Sequence, residues 1–184
     1  MKKSFRTIHG RGSHGMVVFD AIQAGHPNAE VLWTDDADAT SPKPGAYFIC
    51  AVGDNARRKT IGGTMTVIHP AANISPTAEI GEGVFVGAAV WIGPKAKIGD
   101  GAIINNGAIV EHEVEVGPYS HIASGMVLSG KVQIGEGVLI GANATIRLGQ
   151  RVGAWATVGC GAVVVTDVPG GEVWAGTPAE KLSS

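Results

Sequence analysis

Cysteine is nearly absent: Cys50 and Cys160 are the only two among 184 residues. That number excludes a disulfide framework and a cysteine-based zinc site. Charge is scarce as well, at 16% of residues with a formal net charge of −2, where about a quarter is usual. Without a basic block the chain does not fit a nucleic-acid binder. Long hydrophobic runs are missing. The longest, Val84 to Ile92, is broken by Gly87 and is too short to cross a bilayer. Lys2, Lys3 and Arg6 resemble the start of a signal peptide, but His9 to Gly15 is polar where an apolar region should follow. The expected location is the cytoplasm. Disorder is excluded by a 45% hydrophobic share combined with so small a net charge.

What the chain has in excess is glycine, 28 residues of it, and a period. From Ile68 to Val164 every sixth residue is aliphatic: Ile68, Ile74, Ile80, Val86, Ile92, Ile98, Ile104, Val110, Val116, Ile122, Leu128, Ile134, Ile140, Ile146, Val152, Val158 and Val164. Chance produces such a series with a probability on the order of 10⁻¹¹. Glycine often follows directly, as at Gly81, Gly87, Gly93 and Gly99. The residue four places on is mostly small or aliphatic, as at Ala72, Val84, Ala108 and Val114. This pattern predicts a solenoid with three flat faces, in which the aliphatic residue and the one four further on point inward. The glycines after the aliphatic residues would serve corners that need unusual backbone angles or close approach. Three hexads make one coil, so about 5.7 coils stack into a prism ~27 Å long. Both ends of a solenoid need covering. Residues before 68 are expected to cap one, and the tail 166–184, with Pro169 and Pro178, the other.

The front of the chain has no such beat. Strands are expected at Phe5 to Ile8, Glu30 to Trp33 and Ala46 to Val52, with a helix carrying Val17, Val18, Ala21 and Ile22 and a short one through Arg57, Arg58 and Lys59. That is a small βαβ unit over 1–62, ahead of a solenoid domain over 63–184. Its first turn, Gly10-Arg11-Gly12-Ser13-His14-Gly15, follows a strand and opens a helix, where backbone N–H groups can cradle a pyrophosphate. A plain tight turn would use the same glycines.

The hexad pattern, with the closing segment Val173-Trp174-Ala175-Gly176-Thr177-Pro178-Ala179, resembles the hexapeptide-repeat acyltransferases. The resemblance implies a mainly β fold: a left-handed parallel β-helix of about 5–6 coils behind a shortened, Rossmann-like βαβ domain. It also implies a homotrimer with sites in the grooves between prisms. Ile8-His9-Gly10-Arg11-Gly12-Ser13-His14-Gly15, Val52-Gly53-Asp54-Asn55 and Val67-Ile68-His69-Pro70 narrow it to the branch of nucleotide-aminosugar N-acetyltransferases and sialic-acid O-acetyltransferase-type enzymes. By that resemblance Gly12, Ser13 and His14 line the pyrophosphate or sugar, Asp35 and Asp36 sit near the nucleoside, and Asn55 also touches substrate.

Acetyl transfer needs a base beside a thioester, and histidine suits it. Of the six histidines only His112 and His121 lie well inside the repeat, both at outward positions. Asn105-Asn106-Gly107-Ala108-Ile109-Val110-Glu111-His112, with His121 nine residues on, resembles the family's catalytic coil. His112 then falls on the base, Glu111 on the carboxylate that orients it, and Asn105 near the acceptor sugar. Glu113 competes with Glu111. His121, Gly130, Ala142 and Cys160 fall on positions that hold acetyl-CoA, with Cys160 read as a small residue rather than a nucleophile. Half a coil separates His112 from His121, so one subunit cannot bring them together. Lys131 and Arg147 read as solvated surface. The expected activity is acetyl-CoA-dependent N-acetylation of a nucleotide-linked amino sugar, the 4-amino-4,6-dideoxy type favoured, in bacterial surface-glycan synthesis. Acetyl-CoA is a co-substrate, and no metal is expected. Rivals are O-acetylation of a sialic-acid-like sugar, a γ-type carbonic anhydrase, which would need three converging histidines, and a non-catalytic binding β-helix.

Overall fold

The computed structural model describes residues 6–35, 42 and 46–182. The front unit has three parallel strands, β1 (Arg6–His9), β2 (Val31–Thr34) and β3 (Phe48–Cys50), in the order β2-β1-β3. Helix α1 (Ser13–Gly25) joins the first two and α2 (Asn55–Ile61) follows the third. The helical spacing of Val18, Ala21 and Ile22 buries one face of α1. Asp54 starts α2 by accepting a hydrogen bond from the Arg57 backbone N–H on Oδ1 at 2.7 Å.

From β4 (Val67–Ile68) to β20 (Val163–Val164) a two-residue strand recurs every six residues. All these strands pair in parallel with the strand one coil away, as Ile103–Ile104 does with Phe85–Val86 and with His121–Ile122. Three sheets result, the faces of a triangular column. We call the face through Val67, Phe85, Ile103 and His121 the first, that through Trp91, Ile109 and Val127 the second, and that through Glu79, Lys97 and Glu115 the third. The hexad aliphatics from Val86 onward, with most residues four places after each, form one continuous core. Ser120 stands among them fully buried. Its hydroxyl donates to the Gly135 carbonyl at 2.7 Å and accepts from the Val138 N–H at 3.0 Å, so neither capacity is orphaned.

Glycine divides its work in a way the repeat did not reveal. Left-handed backbone sits three residues after the aliphatic position, and half of those tips are not glycine: Ala89, Lys95, Glu113, Tyr119, Lys131, Asn143 and Trp155 have φ between 55° and 61°. The glycines directly after the aliphatics meet a different need. A Cβ at Gly99 would lie 2.7 Å from the Pro118 nitrogen, in the backbone of the next coil.

The front unit does not cap the column's first end. It lies against the first face, where Val67, Phe85 and Ile103 join Ile8, Val18, Ile22, Ile49 and Met65 in a second core. The reason is chemical: these outward residues of the first face are apolar, so covering them removes apolar surface from water. Ile68 is consequently 44% exposed at the open first coil, and Ile74 and Ile80 are half-buried. At the other end the tail closes the column: β21 (Val173–Ala175) pairs with Thr157–Val158, and Val168 and Ala179 enter the core. A further strand, β22 (Glu180–Lys181), pairs antiparallel with β21.

Arg58 rivets the two parts together. It is 1% exposed and meets no carboxylate among its hydrogen-bond partners; carbonyls take its place. Nε donates to Gly101 O at 2.8 Å, one terminal nitrogen to Val52 O at 2.9 Å, and the other to Tyr119 O at 2.6 Å and Asn55 Oδ1 at 2.8 Å. Burial lowers its pKa to about 10, with Cys50, Asp54 and Tyr119 opposing, so the cation persists at neutral pH. Lys59 adds a contact to Glu136 and lies 5.5 Å over the Trp155 ring. No described helix is long and apolar enough to cross a membrane.

Candidate active site

His112 stands on the edge between the second and third faces, two residues past the strand Ile109–Val110. Its side chain is 46% exposed, and Nδ1 lies 3.5 Å from Glu113 Oε1. The carboxylate beside the ring is therefore Glu113's. Among the described residues Glu111 makes no ion pair or side-chain hydrogen bond; its backbone N–H joins the ladder to Leu128 at 3.0 Å. The other oxygen of Glu113 is 3.9 Å from Lys131 Nζ. The contact between ring and carboxylate is long for a hydrogen bond.

His121 lies elsewhere. It opens the strand His121–Ile122 on the first face, beneath the front unit. His14, from the first turn of α1, comes to it with ring centroids 6.2 Å apart and sits edge-on to Phe85 at 5.1 Å. Burial, then the His121 and Arg58 charges, lowers the His14 pKa to about 4. Burial, then Arg58, lowers that of His121 to about 4 against a backbone hydrogen bond to Gly53. Both rings are neutral at pH 7. The Nε2 atom of each is buried without a hydrogen-bond partner among the described residues.

His14 also lines a cavity of about 250 Å³ with Gly12, Ser13, Asp35, Gly53 and Arg57. The first N–H groups of α1 have no side-chain cap there, because the cap residue is Gly12. Asp35 Oδ2 accepts the Arg11 N–H at 2.8 Å. Asp36 lies outside the described residues. Asn55 is not part of this wall. Its amide nitrogen donates to Gly137 O at 3.0 Å and Val138 O at 3.2 Å, and its oxygen accepts from Arg58, which spends it on docking.

Asn105, Ala142 and Cys160 share the edge between the first and second faces. Asn105 Oδ1 accepts the Asn106 N–H at 2.9 Å. Ala142 and Cys160 occupy the same place on consecutive coils, the former half-buried and the latter exposed. Gly130 is on the His112 edge, under the ring: a Cβ there would be 2.5 Å from His112 Cε1. One chain thus holds three groups apart: His112 with Glu113 and Gly130, then Asn105 with Ala142 and Cys160, then His14 and His121 with the front cavity.

Known proteins share this fold. The model of the hexapeptide repeat of succinyl-transferase matches residues 78–111 and 131–166. A variant of perosamine N-acetyltransferase from Caulobacter crescentus, in complex with CoA and GDP-perosamine, is 31% identical, with 98% of each chain covered and a TM-score of 0.89. The acetyltransferase domain of PglB from Neisseria gonorrhoeae, in complex with acetyl coenzyme A, is 33% identical, covering 97% of this chain and 98% of that one, with a TM-score of 0.90. The chain belongs to the hexapeptide-repeat sugar acetyltransferases. WeeI from Acinetobacter baumannii, 22% identical with a TM-score of 0.87, shares the fold over 97% of this chain and all of its own. No curated protein sequence matches significantly.

As an acetyltransferase of this family, the protein has one further feature with a legible signal and one that its sequence concealed. Arg57 lines the front cavity, and its signal was present: it sits in the first turn of a helix entered from Val52-Gly53-Asp54. The buried imidazole pair was hidden because His14 and His121 are more than a hundred residues apart in the chain. No group of three or more histidine, cysteine or acidic residues among those described could hold a metal.

Proposed function

We propose that the protein moves an acetyl group from acetyl-CoA to the amine of a nucleotide-linked amino sugar, of the 4-amino-4,6-dideoxy type, with His112 as general base. The product would enter bacterial surface-glycan synthesis, in the cytoplasm. The observation that carries this reading is the half-exposed imidazole held between a carboxylate and a glycine on one edge of the column. Relatives in complex with CoA, acetyl-CoA and GDP-perosamine support it.

The chemistry follows from the groups present. Nδ1–H of His112 faces Glu113, which leaves Nε2 free to take a proton from the sugar's ammonium group. The neutral amine adds to the thioester carbonyl, and a backbone N–H, with Gly130 and Ala142 as the candidates, stabilises the oxyanion. Collapse of the tetrahedral intermediate breaks the carbon–sulfur bond. The imidazolium returns its proton to the departing sulfur, the adduct nitrogen gives its remaining extra proton to solvent, and amide, CoA thiol and one free proton result. In the front cavity the α1 N-terminus with Gly12 and Ser13 takes the diphosphate, and Asp35 takes the nucleoside side.

The separated groups converge only between chains. The second face carries Trp91 and Ile109 uncovered, at 42% and 36% exposure, whereas the third carries Glu79, Lys97, Glu115, Gln133 and Arg151 in one row. An apolar face seeks cover and a charged row seeks water. With three copies turning their second faces inward, the His112 edge of one meets the Asn105–Cys160 edge of the next, and a homotrimer completes three sites. The first test is incubation with acetyl-CoA and a panel of UDP-, dTDP- and GDP-linked amino sugars, with free thiol as readout. Turnover of one of them is expected, and His112→Ala should lower it by about 10²–10⁴-fold. A hydroxyl-bearing sugar accepted in place of every amine would overturn N-acetylation, and near-normal turnover by the variant would overturn the base.

A further inference from the structure

The coil after His112 touches the reactive pair at three points. The Lys131 N–H donates to the His112 carbonyl at 3.0 Å. The imidazole lies over Gly130, where a Cβ would be 2.5 Å from Cε1 and 3.1 Å from Cδ2. Lys131 Nζ is 3.9 Å from the Glu113 oxygen that does not face the ring. Gly130 shows no left-handed φ, so backbone conformation does not demand glycine there. The space under the ring does.

The edge is also strained in an uncommon way. Lys95, Glu113 and Lys131 occupy the same tip on three consecutive coils with φ of 58°, 59° and 61°, and the next coil places Gly149 there. Each non-glycine residue in that conformation costs about 1–2 kcal/mol. Strain that a glycine would remove, repeated on one edge and confined there to charged side chains, points to a requirement for those side chains.

We infer that Gly130 and Lys131 are the positioning residues of the reactive pair: Gly130 sets the plane of the His112 ring, and Lys131 holds the Glu113 carboxylate in reach of Nδ1. This goes beyond a backbone contact to acetyl-CoA at Gly130 and a solvated Lys131, and it rests on His112 being the base. Side-chain charges near the ring come from Glu111 and Glu113 in its own turn, Lys95 from the coil before and Lys131 from the coil after. Loss of Lys131 therefore removes the cation beside Glu113 and lets the carboxylate move away from the ring.

The decisive variant is Gly130→Ala. In protein labelled with ¹³C-histidine and free of substrate, the His112 ring resonances, assigned through His112→Gln, are expected to move while those of the other histidines stay. With the sugar that the wild type acetylates, kcat should fall about 10–100-fold while KM for acetyl-CoA stays within about twofold. Unmoved resonances, or a loss confined to KM for acetyl-CoA, would overturn the assignment. Lys131→Met, on an exposed side chain, covers the case in which Gly130→Ala folds poorly. The His112 ring resonances should move in this variant too, because Glu113 loses the cation that holds it, and unmoved resonances would overturn the role of Lys131. If the wild type acetylates nothing, the proposed activity fails, but the resonance arms contain no substrate and still decide this inference.

Discussion

Glu113 combines a conformational cost with a chemical use, and two substitutions separate them. Its φ of 59° is left-handed, a region that costs a side-chain-bearing residue about 1–2 kcal/mol. Glycine removes that cost and returns about 0.5–1 kcal/mol of it as unfolded-chain entropy. Glutamine keeps the strain and loses the charge. The weak contacts of the half-exposed carboxylate, at 3.5 Å to His112 and 3.9 Å to Lys131, vanish in both variants and cancel in the comparison. Glu113→Gly should therefore be more stable than Glu113→Gln by about 0.5–1 kcal/mol, or about 1–4 °C in melting temperature for a chain of this size. Both variants lose the group that steadies the base, so kcat should drop by about 10–10³-fold in each. Thermal melts by circular dichroism and thiol-release kinetics on the same preparations provide the readings. A glycine variant less stable than the glutamine variant would refute the strain argument. Wild-type kcat in Glu113→Gln, with the loss appearing in Glu111→Gln instead, would refute the choice of carboxylate.

Acid should loosen the protein in a defined window. His14 and His121 have pKa values near 4 in the fold against about 6.5 unfolded, so their stabilisation is complete above pH 6.5, falls as pH drops toward 4 and is level below; each ring contributes about 3 kcal/mol with the mutual repulsion counted once. Urea midpoints between pH 7.5 and 4 measure it, and His14→Gln should flatten the dependence. Arg58→Met leaves the Gly101, Tyr119 and Val52 carbonyls without their donor, should cost about 3 kcal/mol or more, and should expose the segment after α2 to limited proteolysis; an unchanged digestion pattern would count against the rivet. Trp91→Glu, placed on the uncovered apolar face, should give a monomer by sedimentation and lose acetyl transfer, whereas an active monomer would sink the shared site.

The column was legible because one physical rule repeats. An inward position every six residues needs an apolar side chain, and a lapse such as Ser120 survives only with both hydrogen bonds met. The glycines were legible as corners but not in their division of labour. Both close approach and left-handed backbone favour glycine, and composition alone does not say which operates. The front unit's seat on the first face was not legible, because Phe85 and Ile103 read as ordinary outward strand residues until something covers them. Asn55 looks like a ligand group beside a glycine turn, and its amide is instead spent on the docking contacts of Arg58, Gly137 and Val138. That Glu113 rather than Glu111 lies beside the His112 ring depends on a tip conformation that sequence does not display.

The distribution of reactive groups bears on why such a fold is used at all. A β-helix is stiff and repeats every coil, so a residue added to one edge stays on that edge. His112, Gly130 and Lys131 therefore stay together on one edge. The same stiffness prevents the edge from closing over a substrate. The proposed trimer supplies the missing wall without bending the column, because the two edges that flank the apolar second face are the two that carry the separated groups. Burial of Trp91 and Ile109 then drives assembly, and assembly completes the site. A variant that associates through any other face would bury surface without bringing the His112 edge to the Asn105–Cys160 edge, and it should be trimeric and inert.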